Sequence, residues 1–156
     1  MIENAETFKK EREEKFGGEI RFMTYTKFIG TASSSKVINR GGILYVIKDT
    51  IHFEDFEKSG GLMIILNQKE DYTKTEFSLE LEKISMVKEI REKDAINCVN
   101  RRISENEILP GPKGVLSLFS KSVLQVFATG QNSLFFDLLD KEDFMKIINE
   151  YMLKSH

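Results

Sequence analysis

The sequence predicts a mainly β fold, an antiparallel barrel or sandwich of about seven strands capped by a C-terminal amphipathic helix, with an N-terminal helical arm. Three observations lead to this prediction. Short segments rich in β-branched and aromatic residues follow one another, with tight polar turns between them. Strands and helices do not alternate along the chain, which argues against a parallel sheet. The C-terminal segment carries the broad apolar stripe of an amphipathic helix.

The length of 156 residues suits one domain with a helical appendage. We divide the chain into an N-terminal helical arm, residues 1–18, and a domain over residues 19–156. The acidic start differs from a secretory signal, and no run approaches the roughly 20 apolar residues that span a bilayer. The single cysteine, Cys98, excludes an internal disulfide and suits a reducing compartment. These features predict a cytoplasmic protein without a transmembrane segment.

The arm is predicted to be helical over residues 4–16, and Gly17 and Gly18 supply a C-terminal stop because glycine accepts the left-handed conformation. Its apolar stripe is thin, so we expect the helix to lie on the surface of the domain or to bind a partner. The stripe consists of Ile2, Ala5, Phe8 and Phe16.

The strands are predicted from alternating or continuous apolar runs bounded by turn residues. Lys48 and Asp49 are expected to form the turn of a hairpin, with Ile51 and Phe53 facing inward on the return strand. Glycines and two prolines at residues 110–114 exclude regular structure there. The predicted strands cover residues 22–32, 43–47, 51–56, 62–66, 77–81 with a continuation to 90, 115–119, 123–128 and 134–139.

The C-terminal helix follows Asp140, a favourable N-cap residue, and Glu142 and Asp143 suit the positive end of the helix dipole. Its apolar residues recur at helical spacing and are expected to cover the opening of the sheet. They are Phe144, Ile147, Ile148, Tyr151 and Met152.

Three segments resemble the pleckstrin-homology superfold, and two of them resemble its GRAM branch in residue detail. "GGILYVIKDTIHFEDF" at residues 41–56 is similar to the second and third strands of such domains. "LEKISMVKEI" at residues 81–90 is similar to the fifth strand, and "DKEDFMKIINEYM" at residues 140–152 to the terminal helix. The resemblance covers the chain from about residue 22 to its end, and it reports mainly core packing.

The resemblance implies a non-enzymatic binding module for a protein or peptide partner, or for a phosphate-bearing lipid at a membrane surface. Members that bind headgroups place several cations around the first two strands so that they converge on phosphates. Residues 42–46 hold no cation here, which favours protein or peptide contact over headgroup binding. The predicted anion-binding residues are Lys36, Arg40, Arg21 and Lys27, with Ser34 and Ser35 as neutral donors.

The charge distribution supports this choice of residues. Five cations and one acid lie between residues 20 and 53, a local net charge of +4 in a chain whose net charge is −2. The overall balance and the sparse cations among the aromatics argue against nucleic-acid binding. The acidic cluster of Glu54, Asp55 and Glu57 lacks the spacing of a calcium loop and is interpreted as a solvated strand end.

Several alternatives stay open. Gly60 and Gly61 with the following apolar run resemble part of the second-messenger-binding PilZ barrels, although a paired arginine upstream is missing. A small-ligand carrier would need a void of several hundred Å³, on the order of a ligand pocket. Cys98 and His52 are the candidates for a thiol nucleophile and its base, but His52 is predicted to face solvent. The two histidines and one cysteine show no metal-ligand spacing, and no cofactor is expected.

Overall fold

The computed structural model describes residues 4–56, 74–109 and 121–154 of the chain. In these ranges seven strands form one antiparallel sheet, in the order β4-β3-β2-β1-β7-β6-β5, that curls into a half-barrel. The strands are β1 (Ile20–Thr31), β2 (Arg40–Ile47), β3 (Thr50–Asp55), β4 (Glu76–Glu80), β5 (Ile84–Arg91), β6 (Ser122–Ala128) and β7 (Leu134–Leu138).

Three α-helices accompany the sheet in the described part of the chain: α1 (Ala5–Phe16), α2 (Glu92–Val99) and α3 (Lys141–Lys154). The predicted mainly β architecture, with an N-terminal and a C-terminal helix, is confirmed. Helix α1 begins after Asn4, whose side chain accepts a hydrogen bond from the Thr7 amide at 2.7 Å. It ends at Gly17, which has φ +70°, the left-handed conformation that glycine adopts without strain.

The hairpin of β2 and β3 turns at Lys48 and Asp49 as predicted, with Ile47 opposite Thr50. Because side chains alternate across a strand, Leu44 and Val46 point into the half-barrel while Tyr45 and Ile47 point to its outer face. The hairpin therefore supplies both the inner core and the outer surface on which α1 lies.

The main core fills the inside of the half-barrel, where Phe28, Phe53, Phe77 and Phe136 pack against one another with ring centroids 5.0–6.4 Å apart. Helix α3 adds its buried Phe144 and Ile148 to this core, as its apolar stripe predicted. These four aromatic residues thus form a mutually packed cluster inside the half-barrel, as is usual for small barrels.

Two smaller clusters occupy the outer faces. Phe135 lies between the inward-facing Leu134 and Phe136, so it points outward, where α2 covers it with Ala95, Cys98 and Val99. On the other half of the sheet, Phe8 of α1 packs on Tyr45 and Ile47.

Some predicted features lie outside the described residues. They are Ile2 of the predicted helical stripe, the strands at 62–66 and 115–119, the glycine pair at 60–61, the proline-rich turn at 110–114, and Glu57.

Candidate functional site

The loop between β1 and β2 carries the predicted anion-binding serines, and its backbone donors are used within the protein. The amide of Ser33 donates to the carbonyl of Cys98 at 3.0 Å, and that of Ser35 to the carbonyl of Val99 at 2.8 Å. The Lys36 amide contacts the Ser34 hydroxyl at 3.3 Å. The loop is therefore fastened to the C-terminal end of α2, with Ser33 and Ser35 in the left-handed region at φ 60° and 65°.

The predicted cations do not gather at this loop. Arg40 donates to Asp55 at 3.0 Å, and Lys27 lies 3.6 Å from Glu92. Arg21 contacts Asp49 at the other end of β1. Arg21 precedes Phe28 by seven residues, and Phe28 is the strand partner of Arg40. Arg21 and Arg40 are therefore separated by roughly 23 Å along the strand.

Lys36 differs from the other three cations. Its side chain is exposed, and it has no carboxylate partner among the described residues. The anion site at this loop stays a prediction, with Lys36 as its most accessible charge.

His52 is buried on the outer face of β3, which contradicts the predicted solvent exposure. Its ring stacks on Phe16 of α1 at a centroid distance of 4.0 Å and on Tyr45 at 5.1 Å. Its Nδ1 lies 2.8 Å from the Ser78 hydroxyl. The alternation of β3 was predicted correctly, but α1 covers the outward side of this strand. Burial lowers the pKa of His52.

Cys98 lies on α2 in a different buried cluster from His52. Burial, followed by the nearby charges of Glu105 and Glu107, raises the pKa of Cys98 to about 11. A thiol in these surroundings stays protonated at neutral pH, whereas a nucleophilic cysteine requires an electropositive, accessible position. The structure does not bring these two candidates together.

Glu54 and Asp55 are 8% and 5% exposed, so the interpretation of both as solvated acids is wrong. Arg12 of α1 binds the Glu54 carboxylate with two parallel bonds, Nε to Oε2 at 2.9 Å and Nη2 to Oε1 at 2.8 Å. The Tyr45 hydroxyl donates to Oε2 at 2.5 Å, and Lys74 Nζ donates to Oε1 at 3.1 Å. Sequence reasoning missed this cluster because its partners are far apart in the chain.

The pKa values of this cluster follow from its hydrogen bonds. Burial by itself would raise the pKa of Glu54, but the bonds from Arg12, Tyr45 and Lys74 outweigh it and lower that pKa to about 2. Burial and the bond to the carboxylate raise the pKa of Tyr45. We call the outer surface of Tyr45, Ile47, His52 and Glu54 the α1 seat.

A groove of about 390 Å³ lies between α3 and β5, and we call it the α3–β5 groove. Its lining includes Glu89 of β5 and Lys141, Met145, Lys146, Asn149 and Leu153 of α3. One end is fixed by polar contacts, since Lys141 Nζ donates to the Ser122 hydroxyl at 2.8 Å and that hydroxyl donates to Glu89 at 2.7 Å.

The α3–β5 groove combines an edge strand with an exposed apolar side chain. Strand β5 ends the sheet order and pairs with β6 alone among the described strands. The Leu153 side chain is 78% exposed, and Met145 is half-buried. The groove thus places apolar contact area beside a strand that has one neighbour among the described strands.

The described residues offer neither a metal-binding cluster nor a membrane-spanning helix. No three histidine, cysteine, aspartate or glutamate side chains among them are placed to hold a metal ion. None of the helices formed by these residues has the length and apolar character needed to cross a membrane.

Comparisons with known proteins bear on the fold. No protein-family model and no curated protein matches the chain. The structure is similar to the crystal structure of the C-terminal domain of an unknown protein from Leishmania infantum, with a TM-score of 0.51. The two chains are 13% identical over 96% of this chain and 99% of the other. At this identity the likeness concerns the fold alone.

Proposed function

We propose that this chain is a non-enzymatic interaction module that binds an extended segment of a protein partner in the α3–β5 groove. The observation that carries the proposal is the position of β5 at the end of the sheet formed by the described strands, beside a groove lined by α3 and by Glu89 of β5. An extended peptide can add to such an edge by main-chain hydrogen bonds while its alternate side chains enter the groove.

The lining of the groove indicates which peptide would fit. Leu153 and Met145 offer an apolar contact for one side chain of the peptide, and the fold leaves Leu153 largely uncovered. Lys146 and Glu142 lie on the same helix and give the rim both signs of charge. We therefore expect a peptide with an apolar anchor and neighbouring polar residues, without a large net charge.

The test is a selection of peptides from a random display library on the immobilised full-length chain. We expect selected peptides to lose at least about tenfold in affinity for Leu153→Glu, since the change replaces an apolar contact of the groove with a charge that binding would have to desolvate. Leu139→Glu is a matched control, because Leu139 is 73% exposed and lies outside the groove. Equal affinity of the selected peptides for the two variants would refute the proposal. Amide NMR shifts that a bound peptide causes only outside β5 and α3 would refute it as well.

An anionic ligand at the β1–β2 loop is a second candidate, favoured by the exposed and unpaired Lys36 on a loop that α2 holds in place. Vesicles containing phosphatidylserine or phosphoinositides, and inorganic phosphate alone, separate membrane binding from plain anion binding. Salt-sensitive binding that Lys36→Ala weakens would support this candidate. Binding unchanged in a Lys36→Ala/Arg40→Ala variant would dispose of it.

The proposal places the module in the cytoplasm and assigns it neither catalysis nor nucleic-acid binding. The buried, protonated thiol of Cys98 is compatible with a reducing compartment. The separation of Cys98 from His52 supports a role in binding rather than nucleophilic chemistry. Turnover of any substrate that Cys98→Ala abolished would reverse this assignment.

A further inference from the structure

Helix α1 is held on the sheet by one narrow face. Phe8, Arg12 and Phe16 recur at a spacing of four residues, and Phe8 is the one buried residue of the helix. The Phe8 ring meets the Tyr45 ring edge-on at 5.5 Å, and Phe16 stacks on His52 at 4.0 Å. The helix therefore resembles a bound ligand with three anchors more than a core element.

The α1 seat has its own internal supports. Tyr45 and Lys74 hold the Glu54 carboxylate from the sheet side, and Ser78 contacts the His52 ring. These contacts involve no atom of α1. Without the helix the Glu54 carboxylate would keep Lys74 at 3.1 Å and lose both bonds from Arg12, so a second cation could bind it in the geometry that Arg12 has now.

Helix α1 is poorly suited to hold its place without the tether. It has 12 residues, and an isolated helix of this length is marginal in water. Gly17 to Glu19 connect it to β1, and this short link keeps its effective concentration at the seat high. A partner that presents the same anchors on a longer, more stable helix would compete with α1, and the main advantage of α1 would be the high effective concentration that its short link provides.

We propose that the α1 seat is a second protein-binding site, for a partner helix that presents an arginine flanked at four-residue spacing by two aromatic side chains, with α1 as its tethered competitor. The arginine binds Glu54 through the two parallel bonds that Arg12 makes now, and the aromatic residues take the places of Phe8 and Phe16 on Tyr45 and His52. This site lies on the outer face of β2 and β3, and it is independent of the α3–β5 groove.

The probe is a fluorescein-labelled peptide of residues 4–18, measured by fluorescence anisotropy against the full-length chain. In one form of the chain, about twelve Gly and Ser residues are inserted between Gly17 and Gly18. Lengthening the link from about 3 to about 15 residues lowers the effective concentration of α1 roughly tenfold, because that concentration falls as the −3/2 power of link length. We therefore expect the inserted chain to bind the probe about tenfold more tightly than the unaltered chain does.

The charge pair supplies the second arm of the test. A probe carrying Arg12→Gln should bind the inserted chain at least about tenfold more weakly, since it loses a bidentate charged contact. Glu54→Gln in the chain should weaken the unaltered probe by a similar factor, and the two changes together should cost no more than either alone. Glu76→Gln, on an exposed glutamate of the neighbouring β4, should have no effect.

Equal affinity of the probe for the inserted and unaltered chains would overturn the proposal, and so would additive losses from the two changes. The Arg12→Gln change is made in the probe and leaves the seat unaltered. Its effect on affinity therefore stays decisive even where Glu54→Gln destabilises the chain. Dimers of the inserted chain that form below the dissociation constant of the probe would assign the seat to α1 of a second copy, and would also overturn it.

Discussion

Replacing Glu54 by glutamine is expected to destabilise the protein by about 3 kcal/mol at pH 7. The side chain keeps its shape, but Arg12 and Lys74 lose the carboxylate that both of them contact. The magnitude follows from the pKa of Glu54, which falls from its ordinary value of 4.5 to about 2 in the folded protein. Each pKa unit corresponds to about 1.36 kcal/mol of preference for the ionised form.

The pH dependence gives this prediction its sharpest form. A carboxylate with a lowered folded-state pKa contributes stability that is fully present above its unfolded pKa and is lost as pH falls through the folded value. The difference between the unaltered protein and Glu54→Gln should therefore stay constant from pH 7 to about pH 5. It should then shrink steadily towards pH 2, because the unaltered protein itself acquires a neutral Glu54.

The assay is urea denaturation followed by far-UV circular dichroism at a series of pH values, since the chain has no tryptophan for fluorescence. Glu76→Gln serves as the control: its side chain is 57% exposed, and its contact with Lys74 is long at 3.9 Å. It should change stability by less than about 0.5 kcal/mol. A Glu54→Gln difference that stays the same between pH 7 and pH 3 would refute the reasoning, because a titrating carboxylate could not be its source.

Two further predictions concern neighbouring backbone and a buried thiol. Gly42→Ala should destabilise the protein by several kcal/mol or prevent folding, because an added Cβ would lie 2.2 Å from the Glu54 carbonyl oxygen. Gly41→Ala is the milder control, because the nearest atoms to its added Cβ, in the Phe56 ring, would be 3.8 Å away. Denaturation midpoints of the two alanine variants test this, and equal midpoints would contradict it. Cys98 should react with iodoacetamide at pH 8 at least about a hundredfold more slowly in the folded protein than in urea, because burial and a pKa of about 11 lower its thiolate fraction. Mass spectrometry measures the rates, and similar rates in both states would show that the thiol is accessible.

The strands and the two terminal helices could be predicted from the sequence because their signals are local. Alternation along the return strand of the hairpin assigned Ile51 and Phe53 to the inner face, and the structure has both of them in the main core. Asn4 and Gly17 set the limits of α1 through capping and the left-handed conformation, which depend on a few adjacent residues. The stripe of α3 likewise identified Phe144 and Ile148 as core residues.

The surroundings of the polar residues could not be predicted in this way. Alternation placed His52 on the outer face of β3, but periodicity does not show that Phe16, in a helix much earlier in the chain, lies over that face. The same holds for Glu54, whose partner Arg12 is 42 positions away, and for Asp55, which binds Arg40. The predicted cations were grouped because they are close in sequence, yet β1 holds Arg21 far from Arg40.

The sequence by itself determined where the described strands lie, the limits of α1, the start of α3, and many of the side chains that enter the main core. These properties depend on side-chain period, backbone preference and capping, and all of them act between residues a few positions apart. The sequence did not show the break at Leu81–Lys83 that separates β4 from β5. Only the tertiary structure decided that α1 lies on β2 and β3, that Glu54 is buried with Arg12, and that a groove opens between α3 and β5. Those contacts join segments distant in the chain, so their free energies depend on the packed sheet as a whole.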